Sequence, residues 1–322
     1  MFVYEYLSGG GAGDDLTADD IALFEQGRAM RDAIVDDLAH VDGVVVNCAS
    51  VDAGCKVAVR RVTRVAPDPR ESAAHFVCRQ AAKHDCVWVV APETNGILAA
   101  LRECVAYAQW IGCGAEAIRI TGSKRATREC LRRNGIAVTR DAADCDAGHA
   151  RDLRFVVKPD DGAGACETRV HATRASALDD RARRQARGRE CVAEIWEDGT
   201  PLSLSLLCGQ GGRAELLSVN RQRIDVTTSG DVRYGGVDAD VRDYDTSAGE
   251  FTKLARAIAR AIPGLRGYVG IDFVLREDGC PIVVEINPRV TCAYVGLSTA
   301  LGRNVAAEVL RQHERAFEHA PP

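Results

Sequence analysis

The chain has 322 residues, of which 46% are apolar and 27% charged, and it carries a net charge of −5. That length accommodates two or three domains around a substantial core, and the composition is that of an ordinary soluble globular protein. The charge excludes the basic footprint of a nucleic-acid binder, no apolar run reaches the roughly 18 residues of a membrane span, and the first residues lack the regions of a secretory leader.

Residues 2–7, FVYEYL, predict a short strand running into Ser8-Gly9-Gly10-Gly11. Thr17 is placed to cap a long helix through about His40, with Asp19 and Asp20 in its first turn. Gly43 to Cys48 predicts a second strand, 70–84 a helix, Val87 to Ala91 a third strand, and Thr94 to about Trp110 another helix. Strands alternating with helices imply an open, largely parallel α/β domain over residues 1–115. The Gly9–Gly11 run and Pro92-Glu93-Thr94-Asn95-Gly96 both follow strands, where ligands favour such sheets. Each is either a substrate-side loop or a plain turn, and no dinucleotide fingerprint is present.

Ser123 to Gly135 predicts a helix ended by Asn134-Gly135, with a new strand from Ile136. A second region covers 116–190. Its Arg-dense run, Arg181 to Arg189, reads as a solvated helix end or loop, or as a contact for an anionic substrate. A third region, 191–322, is strand-dominated (191–196, 201–208, 214–224, 267–276, 281–287), with helices at 246–261 and from about Thr299 to Phe317. The 13 cysteines are odd in number and scattered, with no C-x-x-C pair, which predicts free thiols in a reducing cytoplasm. Cys113, Cys130, Cys191 and Cys208 lie in apolar stretches and read as small core residues.

Two places carry chemistry. Arg154 to Ala165, RFVVKPDDGAGA, is an apolar strand ending in Lys158 before a loop with Gly162 and Gly164. Glycines let backbone N–H groups approach an anion, and the lysine supplies a point charge. Only five residues are lysine, against 36 arginines, so a lysine at a strand end stands out. An ordinary turn, with Asp160 and Asp161 as turn formers, is the alternative.

The second is GYVGIDFVLREDGCPIVVEINPR, residues 267–289. Folding at Asp278-Gly279 sets Asp272 opposite Glu285, with Asn287 on the same face opposite Gly270. Ile271, Phe273, Leu275, Ile282, Val284 and Ile286 form the core face. Like charges across a ladder repel, whereas two carboxylates and an amide oxygen suit a hard cation such as Mg²⁺. Arg289 is positioned to hold a phosphate oxygen.

The order of these pieces, ending in E-I-N-P-R, resembles the ATP-grasp superfamily of carboxylate–amine ligases over residues 115–310. FVYEYLSGGGA, VVKPDDGAGA and EINPRVTCAYVGLS are most similar to the tyramine–glutamate ligases of methanofuran-type cofactor synthesis. The resemblance implies an α/β fold, α+β in its C-terminal part: an N-terminal pre-ATP-grasp domain, a lid over 116–190 and an ATP-grasp core over 191–322. It implies ATP and Mg²⁺ (with Mn²⁺ as an alternative) as cofactors, and glutamate with an aromatic amine, tyramine or tyrosine, as substrates. No nucleic-acid or membrane partner is expected, and a homodimer is compatible with it.

Carried onto this sequence, Lys124 and Lys158 contact the nucleotide phosphates, and Gly162, Ala163, Gly164 and Ala165 close over them. Glu194 and the backbone of Ile195 and Trp196 meet adenine, and Glu197 or Asp198 takes the ribose. Asp272, Glu285 and Asn287 bind the metal, and Arg289 steadies the transferred phosphate. D-Alanine–D-alanine ligases have an arginine where Gly270 stands here; Arg221 or Arg223, which alternation puts on one face of the strand SVNRQRI with Val219, is either the replacement cation or part of a solvent-facing arginine ladder. Other readings are an amino-acid or dipeptide ligase, a non-catalytic ATP-binding module, and a phosphotransferase to a hydroxyl.

Overall fold

The computed structural model describes residues 1–12, 18–51, 61–145, 152–162, 164–239, 244 and 247–318; the side chains of 18–20, 22, 317 and 318 are outside the description. Thr17 and Ala163, singled out above, therefore lie outside the described residues.

A five-stranded parallel sheet forms the N-terminal unit, in the order β3-β2-β1-β4-β5. Its strands are β1 (Phe2–Glu5), β2 (Val46–Ala49), β3 (Val62–Val65), β4 (Val87–Val90) and β5 (Trp110–Ile111), with helices α1 (Ala18–Ala39), α2 (Ala73–Ala81) and α3 (Ile97–Glu103) between them. Strands β1 and β4 are buried throughout, as central parallel strands covered on both faces must be. The helix expected from Thr94 to Trp110 stops at Glu103, because Trp110 is needed as a β5 residue paired with Val87.

Helices α4 (Ala115–Thr121) and α5 (Lys124–Arg133) follow. Ser123 caps α5 by accepting from the Ala126 amide at 3.1 Å, and Asp160 reaches over to accept from the Arg125 amide at 2.9 Å. Asn134 and Gly135 (φ +72) end the helix as expected. The strand expected from Ile136 is reduced to one bridge, Val138 with Val283.

A small antiparallel sheet, β7-β6-β8, comes next: β6 (Phe155–Pro159), β7 (Arg169–His171) and β8 (Cys191–Ile195), backed by α6 (Arg174–Gln185). Strand β8 pairs with β6 along its length, so Cys191–Ile195 belongs to this sheet. The arginine run sits at the end of α6, where Arg184 pairs with Asp180 at 3.0 Å.

The third sheet, β11-β10-β9-β12-β13, is antiparallel. It comprises β9 (Thr200–Gly209), β10 (Arg213–Val226), β11 (Val232–Asp238), β12 (Gly267–Leu275) and β13 (Pro281–Asn287). Helix α7 (Ala248–Ala261) packs Phe251 and Ile258 on the sheet's apolar face, against Leu204, Ile271 and Phe273. Helices α8 (Leu297–Leu301) and α9 (Val305–Glu318) return to the N-terminal unit, where Val305 and Val309 share a core with Val3, Ile34 and Leu38. Shared apolar cores thus join the first and third sheets, the small sheet keeps a core of its own, and a cleft is lined by all three.

Among the described residues no helix is long and apolar enough to cross a membrane. The twelve cysteines among them are free thiols; Cys113, Cys191 and Cys208 are buried, and Cys130 is half-buried.

Candidate functional site

The β12–β13 hairpin sets the acids face to face. Gly270 pairs with Asn287, Ile271 with Ile286 and Asp272 with Glu285. The route to that register differs from the expected two-residue turn. Arg276 donates its amide to Cys280 and Gly279 has φ +80, so the loop holds three residues, Glu277 to Gly279, and the next pairs are shifted by one. A β-bulge between Asp272 and Phe273 then takes up the shift, so Val283, not Val284, faces Phe273 in the core. Val284 turns instead to the cleft. Two irregularities cancel, and the acids meet.

Their environment pushes the two carboxyls apart. Asp272 is raised well above the ordinary carboxylate range, first by burial and then by the charge of Glu285. Burial would also raise Glu285, but Lys124 and Lys158 outweigh it and hold Glu285 low. Lys124 Nζ lies 3.2 Å from Glu285 and donates to the Gly162 carbonyl at 2.6 Å, joining the core acid to the glycine loop. Asn287 Nδ2 donates to Asp272 at 3.1 Å. Among the described residues no three His, Cys, Asp or Glu are grouped so as to hold a metal ion by themselves. The donor set is therefore two opposed carboxylates and one amide, all oxygen donors at a cleft wall, and it fits a Mg²⁺ that retains water and phosphate ligands.

These residues wall a cavity of about 820 Å³ between the three sheets. Lys124, Lys158, Asp272, Glu285, Asn287 and Arg289 all line it. So do Gly162, Gly164 and Ala165 of the loop, and Glu194 through Asp198 of the segment after β8.

Several side chains have occupations the sequence did not disclose. Glu194 is buried and bound by Arg128 at 2.8 Å and Lys158 at 2.9 Å, so its carboxylate holds the lysine in place. The amides of Ile195 and Trp196 donate to the carbonyls of Arg140 and Arg154. These two N–H groups are thus already engaged within the protein. Glu197 is nearly buried and faces Arg140 at 3.6 Å, whereas Asp198 is exposed and pairs with Arg154.

Arg289 is held by a partner 196 residues away. Its Nε and Nη2 donate to the two oxygens of Glu93, each at 3.0 Å, and both side chains are nearly buried. Glu93 belongs to the Pro92–Gly96 turn after β4, and the neighbouring Asn95 amide donates to Asp161 of the glycine loop at 2.7 Å. Glu93 stood in a flagged turn, but nothing local marked it as the arginine's partner. Glu5 was also missed. It ends β1, lines the cavity and accepts from the amides of Leu7 at 3.2 Å and Ser8 at 2.8 Å. Burial raises its carboxyl against those hydrogen bonds.

The structure does not bring Arg221 and Arg223 to the cavity. Strand alternation sends Gln222 and Ile224 inward, while Arg223 pairs with Asp238 and Arg221 reaches the Tyr244 hydroxyl at 3.3 Å. Gly9 and Gly11 fold back on their own strand: a Cβ on either would fall 2.5 Å from the Glu5 carbonyl or 2.3 Å from the Tyr6 ring. Their role is close packing, while Leu7 and Ala12 on either side of the run line the cavity.

A three-unit α/β chain that closes lysines, a glycine loop and paired acids around one cleft has the architecture of the ATP-grasp family. The chain belongs to that family: residues 121–293 match its ATP-grasp domain and residues 46–118 its pre ATP-grasp 3 domain. Among characterised proteins it is similar to tyramine–L-glutamate ligase of Methanocaldococcus jannaschii, with 30% identity over 218 residues, 67% of this chain and 59% of that one. The enzyme of the same name from Methanocaldococcus fervens is 26% identical over 219 residues, 67% of this chain and 62% of that one. The chain thus spans less than two thirds of either relative. An ATP-grasp superfamily protein from Archaeoglobus fulgidus superposes with a TM-score of 0.70 at 22% identity, covering 97% of this chain and 88% of that one. D-Alanine–D-alanine ligase of Bacillus anthracis gives 0.62 at 12%, covering 99% of each. At these identities the solved structures speak for the fold alone.

Proposed function

We propose that the chain is an ATP-dependent carboxylate–amine ligase that couples glutamate, through its γ-carboxyl, to tyramine or tyrosine. The observation that carries the ligase reading is the convergence of Lys124, Lys158, Asp272, Glu285 and Asn287 on one cavity. The choice of substrates rests on the likeness to the tyramine–L-glutamate ligases. It is further supported by an apolar wall of Tyr6, Leu23, Met30 and Ile97, which suits an aromatic ring.

A carboxylate is a poor acylating agent, and transferring the γ-phosphoryl group of ATP to it makes an acyl phosphate that an amine can attack. Asp272, Glu285 and Asn287 would hold Mg²⁺, which when bound draws negative charge off the phosphate oxygens. Lys124 and Lys158 place two further positive charges beside the same oxygens, and their acid partners, Glu285 and Glu194, fix the ammonium groups in advance. The substrate carboxylate oxygen bonds to phosphorus as the bond to ADP breaks. The amine nitrogen then bonds to the carbonyl carbon, phosphate leaves, and the amine gives up a proton. The acyl phosphate hydrolyses in water, so the loop at Gly162–Ala165, tied to Lys124 through the Gly162 carbonyl, would serve to exclude it. Among the described residues no histidine lines the cavity, so no imidazole is assigned as base.

The test is a panel of amines offered with glutamate and Mg-ATP, read by phosphate release and by the mass of the product. Release that needs both glutamate and an aromatic amine, with a product heavier than the amine by a glutamyl residue, is the expected result. A stable phosphorylated product, or ATP turnover indifferent to the amine, would overturn the proposal.

A further inference from the structure

Strands β9 and β12 run from the acid pair to a second hollow at their other end. Gly267 pairs with Cys208 there, whereas Asp272 pairs with Ser203. Five residues of strand separate the two, about 17 Å at the usual rise. The second cavity has a volume of about 600 Å³, within the range of small-molecule sites.

Its wall is cationic. Arg213 opens β10, Arg256 and Arg260 lie one turn apart on α7, and Arg266 precedes β12. The acid on this wall, Glu215, is already paired with Arg303 at 2.6 Å. Among the described residues Arg213, Arg256, Arg260 and Arg266 have no carboxylate within 4.0 Å. Their recorded hydrogen bonds go to neutral oxygens: Arg213 to the Gln210 carbonyl at 3.2 Å, Arg260 to the Arg256 carbonyl at 3.2 Å, and Arg266 to the Tyr107 hydroxyl at 3.1 Å.

Two buried polar atoms belong to residues of this wall. Arg266 Nη2 and Gln312 Oε1 are shielded from solvent and have no hydrogen-bond partner. A buried donor without an acceptor is costly, and so are several like charges around one hollow. The glycine loop 209–212 completes the wall. Gly211 and Gly212 have φ +70 and +71, and a Cβ on Gly212 would lie 2.8 Å from Arg260 Cγ, so glycine is what lets the loop settle beside that arginine.

We infer that this second cavity binds a small polyanion: a molecule with at least two phosphate or carboxylate groups and a hydroxyl or amino hydrogen for Gln312 Oε1. Guanidinium forks match the paired oxygens of either group. The oxyanion satisfies Arg266 Nη2, neutralises Arg256 and Arg260, and occupies a site separate from the ATP cleft.

The experiment is calorimetric titration of the full, metal-free chain with pyrophosphate and, separately, with tricarballylate. The same titrations are run on the Arg256→Ala/Arg260→Ala double variant, on Arg266→Gln and, as a cleft control, on Lys158→Gln. Arg256 and Arg260 are exposed side chains of α7, so their removal leaves the fold intact, which circular dichroism checks. Saturable binding is expected, weakened roughly tenfold or more by each of the first two variants and by less than about twofold by Lys158→Gln. The probe that binds more tightly identifies the ligand as phosphate-like or carboxylate-like. Binding lost with Lys158 but not with the arginines places the probe in the ATP cleft and overturns the inference, as does the absence of saturable binding. Neither result bears on the ligase reading, which the amine panel tests independently.

Discussion

Replacing Asp272 by Asn should make the metal-free protein more stable and the enzyme inactive. The amide keeps an oxygen to accept from Asn287 Nδ2, so the hydrogen bond at 3.1 Å survives. What disappears is a negative charge directly across the ladder from Glu285, a repulsion of about 0.2–1 kcal/mol in sheets, increased here by burial. A gain near 1 kcal/mol corresponds to roughly 1.5 °C in Tm for a chain of this size. The sign of the pH dependence follows from the same group. Its folded value lies above 3.8, so the stability it contributes is complete below that pH and lost as pH rises through the folded value. Wild type should therefore approach the Asn variant in stability as the solution is acidified, and the gap should open toward neutrality. Mg-ATP at about 100 times its Kd should stabilise wild type by roughly 2.7 kcal/mol, and the variant by much less. Turnover, read as phosphate release, should fall on the order of 10²-fold or more. A variant with wild-type turnover, or one whose metal-free Tm drops, would refute both the metal assignment and the electrostatic reasoning behind it.

Glu93→Ala leaves the nearly buried Arg289 guanidinium without its bidentate partner and should cost about 3–5 kcal/mol in urea unfolding; a loss under about 1 kcal/mol would show that the pair is not a structural tie. Arg221→Ala and Arg223→Ala should each leave turnover within about twofold, since both side chains point away from the cavity and the Arg223–Asp238 pair is an exposed one worth ~0–1 kcal/mol; a tenfold loss would return these arginines to the site. Gly270→Ala puts a Cβ 2.6 Å from Thr291 Cγ2 and 3.5 Å from Asn287 Cβ, so about 1–3 kcal/mol of overpacking is expected, with a weakened response to Mg²⁺ in a thermal-shift titration; an unchanged response would show that Asn287 does not depend on that gap.

Local pattern was enough to find the acids and the glycine loop, because strand alternation and turn chemistry act over a few residues. The hairpin shows how close that reading came to failing. Asp278-Gly279 predicts a two-residue turn, the loop has three residues, and the bulge at Val284 restores the pairing of Asp272 with Glu285. Nothing in VVEIN announces that bulge. What escaped detection was set by distance or by weak local signal. Glu93 finds Arg289 across 196 residues, and Glu194 carries no sign that it will hold Lys158. Strands β3 and β11, VTRV and VRYGGVD, lie at sheet edges with few buried side chains, so their apolar alternation is faint. Alternation puts Arg221 and Arg223 on one face of β10; which face meets the cleft is decided by how the three sheets pack.

The turn at Pro92–Gly96 is gripped from two directions. Glu93 faces the C-terminal core through Arg289, while Thr94 and Asn95 face the glycine loop through Asp161, at 3.3 and 2.7 Å. Adjacent residues therefore divide two jobs. Were the loop to move, this turn would give up only its half-exposed contacts at Asp161, the Lys124–Gly162 bond lying outside it, while the Glu93–Arg289 clasp between the first and last units stays shut. Ease of entry and stiffness of the frame can be tuned independently along five consecutive positions.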